Sequence, residues 1–168
     1  MALTIVANLP LNTMKNWKRG GIIGYSINKG EVELVVAKDR LSGDISNFAG
    51  SMTPSDKNII NTSIREFNEE TLGVFGKIDR KVLKKCLVIY NDIEVIIFYP
   101  LSYKKDIVSK KFISRRNKKS YTEMENLIFC NITDFFSHLA ESSGKEPIYQ
   151  RVRDLMVNAI YEYGNFLD

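Results

Sequence analysis

Glu66, Glu69 and Glu70 stand at i, i+3 and i+4 in the stretch Arg65-Glu66-Phe67-Asn68-Glu69-Glu70. At about 100° per residue they gather on one arc of a helix, while Ile60, Ile64, Phe67 and Thr71 fall on the opposite arc. Like charges at this spacing repel by about 0.2–0.5 kcal/mol per pair on an exposed helix. A cation among them removes that cost. Hard divalent cations such as Mg²⁺ take carboxylate and carbonyl oxygens, and substrate phosphates complete the shell; Mn²⁺ uses the same donors. Glu69 and Glu70, adjacent in the chain, can share one ion or divide two, and Glu66, one turn earlier, can bind a further ion or the attacking water. Arg65, i, i+4 from Glu69, can orient the carboxylates by charge-assisted hydrogen bonds. Composition alone favours the plainer reading of a solvated, charged helix face.

The elements that must carry this stretch follow from the flanking sequence. Ile22–Ile27 and Val32–Ala37, joined at Asn28-Lys29-Gly30, predict a β-hairpin. Lys38–Asn47 is polar and predicts a loop, and Phe48–Met52 a short extended segment. Thr53-Pro54-Ser55-Asp56 predicts a helix start with Ser55 or Asp56 as cap. That helix is expected to run to about Thr71 and to end at Gly73. Val82–Tyr90 and Ile93–Tyr99, rich in β-branched and aromatic residues, predict a second hairpin turning at Asn91-Asp92. Residues 100–122 are polar and basic and read as a loop, Leu127–Ile132 as a strand. Thr133-Asp134 begin a helix through Leu139, and a closing helix runs from Pro147 to about Tyr163. The order predicts an α/β fold, a mixed β-sheet with helices packed on it.

The 168 residues, 19.3 kDa and 44% hydrophobic content suit one domain over residues 1–168. A net charge of +4 and a pI near 9.0 fit a polyanionic ligand without requiring one. Cys86 and Cys130 lie in apolar runs and read as reduced, buried thiols. Met1–Pro10 has no positive region ahead of it, so it does not read as a signal peptide. No apolar run approaches the roughly 20 residues that span a bilayer. The expectation is a soluble, cytoplasmic protein without a membrane partner, as a monomer or a homodimer. His138, beside Phe135 and Phe136, reads as packing or surface.

Gly50 to Gly73 resembles the Nudix box, G-x5-E-x7-R-E-U-x-E-E-x-G-U with U aliphatic or aromatic. Arg65-Glu66-Phe67-Asn68-Glu69-Glu70 matches its R-E-U-x-E-E core at every position. The resemblance implies a Nudix-like α/β/α sandwich and a Mg²⁺- or Mn²⁺-dependent pyrophosphohydrolase. It implies metal ligation by Glu66, Glu69, Glu70 and the Gly50 carbonyl, with Arg65 and Glu66 in the catalytic machinery. Three positions depart from the pattern. The upstream family Glu falls on Lys57, the motif Gly falls on Ser51, and Leu72 makes the exit to Gly73 one residue long. Family members also draw an acid from the loop before a late strand; Glu123, with Glu125 as the alternative, occupies that place as base or extra ligand.

Eight lysines and arginines lie between Lys104 and Lys119. A loop so basic beside a phosphate-cleaving site suits RNA or a heavily phosphorylated small molecule. Arg115, Arg116 and Lys118, with Lys38 and Arg40 after the first hairpin, are the candidate substrate-binding cations. Decapping members of the family and those that hydrolyse inositol pyrophosphates act on polyanions, so the resemblance points to capped RNA or such a compound; ADP-ribose and nucleoside triphosphates stay open. The Lys-, Ile- and Asn-rich composition fits an AT-rich genome, a viral one included. The alternative from another class is a Nudix-fold protein that binds RNA or nucleotide without cleaving it.

Overall fold

The computed structural model describes residues 4–9, 16–140, 148 and 150–163. Its sheet contains strands β1 (Thr4–Val6), β2 (Arg19–Asn28), β3 (Glu31–Asp39), β4 (Ile45–Ser46), β5 (Phe48–Ser51), β6 (Val88–Tyr90), β7 (Glu94–Pro100) and β8 (Met124–Asn131). The helices are α1 (Ile59–Glu70), α2 (Arg80–Leu83), α3 (Lys105–Asn117), α4 (Ile132–Ala140) and α5 (Gln150–Tyr163). Sheet order is β1-β6-β7-β2-β3-β4, with β5 also paired to β2 and β8 to β3. β2 and β7 are parallel and the other pairs antiparallel, so the sheet is mixed as expected.

Period-two alternation splits the apolar residues of the central strands between two cores. Ile22, Val35 and Ile97 face α1 and α3 with Phe48, Phe67 and Phe112. Ile23, Val36 and Ile96 face α4 and α5 with Phe135, Val152 and Met156. Both faces are covered, which is why these strands read as continuous apolar runs. The result is the expected α/β/α sandwich. β2 changes partner part-way: Arg19–Ile22 pair with β5 and Gly24–Asn28 with β3. The change of partner lies beside α1, so the sheet opens next to the helix that carries the carboxylates.

Several expected boundaries move. Pro54–Asp56 form a separate 3-10 turn, and α1 begins only at Ile59, capped by Asn58, whose Oδ1 accepts from Asn61 N at 2.9 Å. Lys57 separates the two with φ +70°. Within Lys38–Asn47 lies the short strand β4. Of Val82–Tyr90 only Val88–Tyr90 is strand, because Asp79 caps the short helix α2 through Leu83. The basic stretch is not a loop: Lys105–Asn117 form α3, held to the sheet by Val108 and Phe112. β8 starts early enough to include Glu125, and Asn131 rather than Thr133 or Asp134 caps α4, its Oδ1 accepting from Thr133 N at 2.8 Å. Pro147 and the side chain of His138 lie outside the described residues. Cys86 is buried and Cys130 half-buried, and the two are not joined in a disulfide. Among the described residues no helix is long and apolar enough to cross a membrane.

Gly20 sets how closely α1 approaches the sheet. A Cβ there would stand 2.6 Å from Ser63 Oγ and 2.8 Å from Ile59 Cγ1. Gly20→Ala is therefore expected to push α1 outward and lower stability by roughly 1–3 kcal/mol, read as a shift in urea midpoint at unchanged m-value.

Candidate metal and substrate site

Packing positions the carboxylates of α1. Ile59, Ile60 and Phe67 are buried, and Phe67 meets Phe48 edge-on with ring centroids 5.3 Å apart. This seats the helix on β2 and β5 and turns its acidic arc toward the opening in the sheet. Glu66 and Glu70 then lie inward, at 12% and 6% exposure, while Glu69 at 59% faces solvent. Gly50, on β5, has no side chain where one would collide with the Glu66 carboxylate.

Arg65 ties this arrangement together. Its Nε donates to Asp56 Oδ1 at 2.8 Å and its Nη2 to Asp56 Oδ2 at 3.0 Å. Nη1 meets Glu66 Oε1 at 2.8 Å and Glu69 Oε2 at 3.2 Å, and Nη2 reaches the Ser51 carbonyl at 3.3 Å. Asp56 also accepts from Thr53 N and Thr62 Oγ1. The Arg65 guanidinium, aided by these donors, holds the Asp56 carboxyl well below the usual carboxylate range despite its burial. The acid that the motif places at position 57 is thus supplied one residue earlier, and Lys57 is exposed. Asp56 stands next to the expected position in the sequence, but its part was legible only as a helix cap.

The extra residue at the end of the motif has a defined conformation. α1 ends at Glu70, and Leu72 and Gly73 both take positive φ, +56° and +69°. For a leucine this costs about 1–2 kcal/mol. The Leu72 carbonyl accepts from Arg115 Nη1 at 2.6 Å. Arg116 Nη1 donates to the Glu125 carbonyl at 2.5 Å. Each of these two expected substrate cations therefore has a bond to the protein's own backbone, Arg115 at the end of α1 and Arg116 at β8. Lys118 shares a shallow cleft with Glu69 and Gly73. Lys38 lies half-buried in β3 opposite Ile45 and Asn126. Arg40 holds its guanidinium 5.5 Å from the centre of the exposed Tyr121 ring, and its N–H donates to the Glu123 carbonyl at 2.8 Å.

The electrostatics centre on Glu70. Among the described residues neither of its carboxylate oxygens has a hydrogen-bond partner, and both are buried. Burial, then the charges of Glu123 and Glu66, push its pKa up to about 10. The Glu123 pKa is raised too, by desolvation and then by Glu66, Asp39 and Glu69. Either a proton or a cation must relieve this cluster. Among the described residues no three acid, imidazole or thiolate side chains already form a complete ligand group. Mg²⁺ does not need one, since it keeps several waters and uses one or two carboxylates with substrate oxygens. Orphaned buried oxygens beside two further carboxylates, with a side-chain-free glycine against Glu66, fit such an ion.

Among solved structures, the Ap4A hydrolase of C. elegans in a binary complex superposes with a TM-score of 0.52 at 15% identity, covering 89% of this chain and 99% of that one. The same hydrolase in a second structure gives 0.50 at 14%, covering 90% and 98%. A NUDIX hydrolase from Nitrosomonas europaea gives 0.48 at 13%, covering 86% and 90%. The chain has the Nudix fold. No protein-family model and no curated protein matches the sequence.

Within this Nudix fold the box residues Gly50, Arg65, Glu66 and Glu70 come together, with Glu123 entering from the loop before β8, while Glu69 lies at the rim. Sequence reasoning missed Asp56 as the partner of Arg65, and it missed Arg19, which reaches the same region from β2.

Asp56→Asn should cost roughly 2–4 kcal/mol by unpairing a half-buried charge. In the parent, Asp56 contributes stability at pH values above its unfolded pKa of 3.8, and the contribution is lost as pH falls toward its lower folded value. Urea midpoints from pH 3 to 7 would show this slope in the parent and not in the variant. Glu70 has the opposite sign. Its raised pKa makes the metal-free protein lose stability as pH rises from 4.5 toward about 10. Glu70→Gln should therefore raise metal-free stability at pH 8 by about 1–3 kcal/mol while reducing the thermal shift on adding Mn²⁺. Arg115→Gln should lower stability by about 1 kcal/mol, and Leu72→Gly should offset part of that loss in the double variant.

Proposed function

We propose that the chain is a divalent-metal-dependent pyrophosphohydrolase acting in the cytoplasm on a nucleoside diphosphate linked to another moiety. The observation that carries this reading is the Glu70 carboxylate, buried without a partner beside Glu66 and Glu123. Glu66 and Glu70, with Glu69 at the rim and the Gly50 carbonyl, would hold Mg²⁺ or Mn²⁺. When bound, such an ion neutralises phosphate oxygens and lowers the pKa of a water that attacks phosphorus. Glu123, whose pKa is raised toward neutrality, would accept the proton of that water; Glu66 is the other candidate. Arg65 keeps Glu66 and Glu69 oriented, and it does so from an anchor on Asp56.

The substrate class follows from what borders the acids. Lys119 and Tyr121 line a cleft with Glu69, Glu70 and Glu123, and Arg40 lies on Tyr121. Cations and an aromatic face suit a polyphosphate bearing a nucleoside. Capped RNA and dinucleoside polyphosphates, the latter the substrate named for the C. elegans hydrolase, share a polyphosphate bridging two nucleosides through their 5′ oxygens. We therefore place a capped RNA 5′ end first, then dinucleoside polyphosphates, then inositol pyrophosphates, which offer the phosphates without the base.

The test is hydrolysis of capped RNA, dinucleoside polyphosphates, ADP-ribose, inositol pyrophosphates and nucleoside triphosphates with Mg²⁺ or Mn²⁺, beside Glu69→Gln and Glu70→Gln. Turnover that needs metal and drops at least ~100-fold in Glu70→Gln, the ~3 kcal/mol scale of a lost electrostatic contact, is expected. An absence of metal-dependent turnover on every compound defeats the reading, and RNA binding without turnover would favour a non-catalytic nucleotide-binding role.

A further inference from the structure

The α5 face of the sheet holds another polar atom without a partner among the described residues, Arg19 Nε. Gly20 faces α1, so its neighbour Arg19 projects to the opposite side of β2. Arg19 Nη1 donates to Ser51 Oγ at 3.1 Å, whereas Nε is buried and finds no acceptor among the described residues. Glu94, on the parallel strand β7, is the register partner of Arg19. Among the described residues no side chain donates to the Glu94 carboxylate; Arg19 and Arg151 act on it through space. Arg151 comes from the first turn of α5 and forms the facing wall.

These groups line a cavity of about 310 Å³ that also reaches Glu70 and Glu123. Glu94 and Arg151 are shared with a neighbouring cavity of about 410 Å³, which ends at Ile93, Leu155 and Asn158. The two cavities meet at Glu94 and Arg151 and lead from the acidic cluster, past a donor and an acceptor, to a mixed end where Asn91, Asp154 and Asn158 stand beside Ile93 and Leu155. Such volumes suit a mononucleotide.

The donor and the acceptor decide which part of a ligand belongs there. Arg19 and Glu94 lie side by side on strands about 4.8 Å apart. A phosphate presents only acceptors and would be repelled by Glu94. A nucleobase edge presents an acceptor next to an N–H, which both groups can satisfy at once. A buried N–H with no acceptor is costly, and a base atom that accepts from Arg19 lowers that cost.

We propose that the cleft between β2, β7 and α5 is a nucleobase subsite, in which Arg19 donates to a ring or carbonyl acceptor of the base and Glu94 accepts the adjacent N–H. Only the location of the phosphate end, at Glu70, rests on the hydrolase reading. Arg19 and Glu94 are then specificity determinants that never touch the reacting phosphorus.

The test is equilibrium binding by calorimetry in the presence of Mg²⁺, with guanosine, adenosine, cytidine and uridine 5′-monophosphates as base-bearing probes and inorganic pyrophosphate as the base-free probe. Arg19→Gln and Glu94→Gln should each weaken the best-bound mononucleotide about tenfold, the scale of one hydrogen bond, and leave pyrophosphate within twofold. Glu94→Gln, which exchanges an acceptor for an acceptor and a donor, should also change the order of preference among the four bases. Arg19→Lys keeps the charge but lacks Nε, so it should resemble Arg19→Gln; melting curves confirm that each variant is folded. An equal loss of pyrophosphate would make Arg19 a phosphate grip and overturn the proposal, as would unchanged mononucleotide binding in the variants or a parent protein that binds no mononucleotide. None of these results depends on turnover, so the hydrolase reading can fail while this one stands, and the reverse.

Discussion

The bidentate pairing of Arg65 with Asp56 is the contact on which the acidic site depends. Asp56 belongs to the 3-10 turn before α1, Arg65 to the middle of that helix, and the Ser51 carbonyl to the end of β5. One planar guanidinium thereby fixes three backbone segments, and its remaining N–H groups hold Glu66 and Glu69. A lysine at position 65 could not do this, because a single ammonium lacks the fork that meets both carboxylate oxygens. The pairing also sets the charge balance: with Asp56 neutralising Arg65, the carboxylates further along the helix have no full counter-charge of their own. That leaves room for a divalent ion.

The second constraint is the absence of side chains. Gly20 and Gly50 are register partners on β2 and β5 and both lie under α1. They let the helix approach until Glu66 sits over strand backbone, so the carboxylate is held at the sheet rather than swung into solvent. The same closeness buries Glu70 against Ala49 and Asn47 where β2 exchanges β5 for β3. Burial raises the energy of the ionised carboxylate, and a polar group this costly persists only where something compensates it. Stability is given up at the place where the chemistry would be done.

How much of this was legible in the sequence depended on whether a pattern was local. The apolar arc of Ile60, Ile64 and Phe67, the glutamates opposite, the two hairpins and the closing helix could all be read from periodicity, because each buries one face against the sheet. The helix Lys105–Asn117 could not. Val108 and Phe112 are its only fully buried residues, Ile107 is exposed, and lysines and arginines occupy half of the other positions. Its place is set in part by the bond from Arg115 to the Leu72 carbonyl, 43 residues away, which no window of sequence contains. The helix start was misplaced for a related reason: Thr53-Pro54-Ser55-Asp56 has the composition of a cap, but its capping box closes on a 3-10 turn, and the positive φ of Lys57 restarts the chain at Asn58. Asp56 was in view as a cap while its partner Arg65 lay nine residues on.

The two departures from the motif therefore differ in kind. Moving the acid from position 57 to 56 is compensated locally, since the 3-10 turn carries Asp56 back to Arg65 at hydrogen-bond distance. Inserting Leu72 is not compensated within the motif: the extra residue takes a left-handed conformation that leucine resists, and its carbonyl is turned toward α3. Arg115 meets it there at 2.6 Å. The stretch that composition marks as an electrostatic surface thus also supports the end of the helix that carries the acidic cluster. Lys105, Arg115 and Arg116 have bonds inside the fold, whereas Lys118 and Lys119 line clefts beside Glu69, so the charge of this segment overstates what it offers to a polyanion. Among the described residues the side chains of Lys118 and Lys119 have no such bond, and Arg40 lies over the Tyr121 ring beside them.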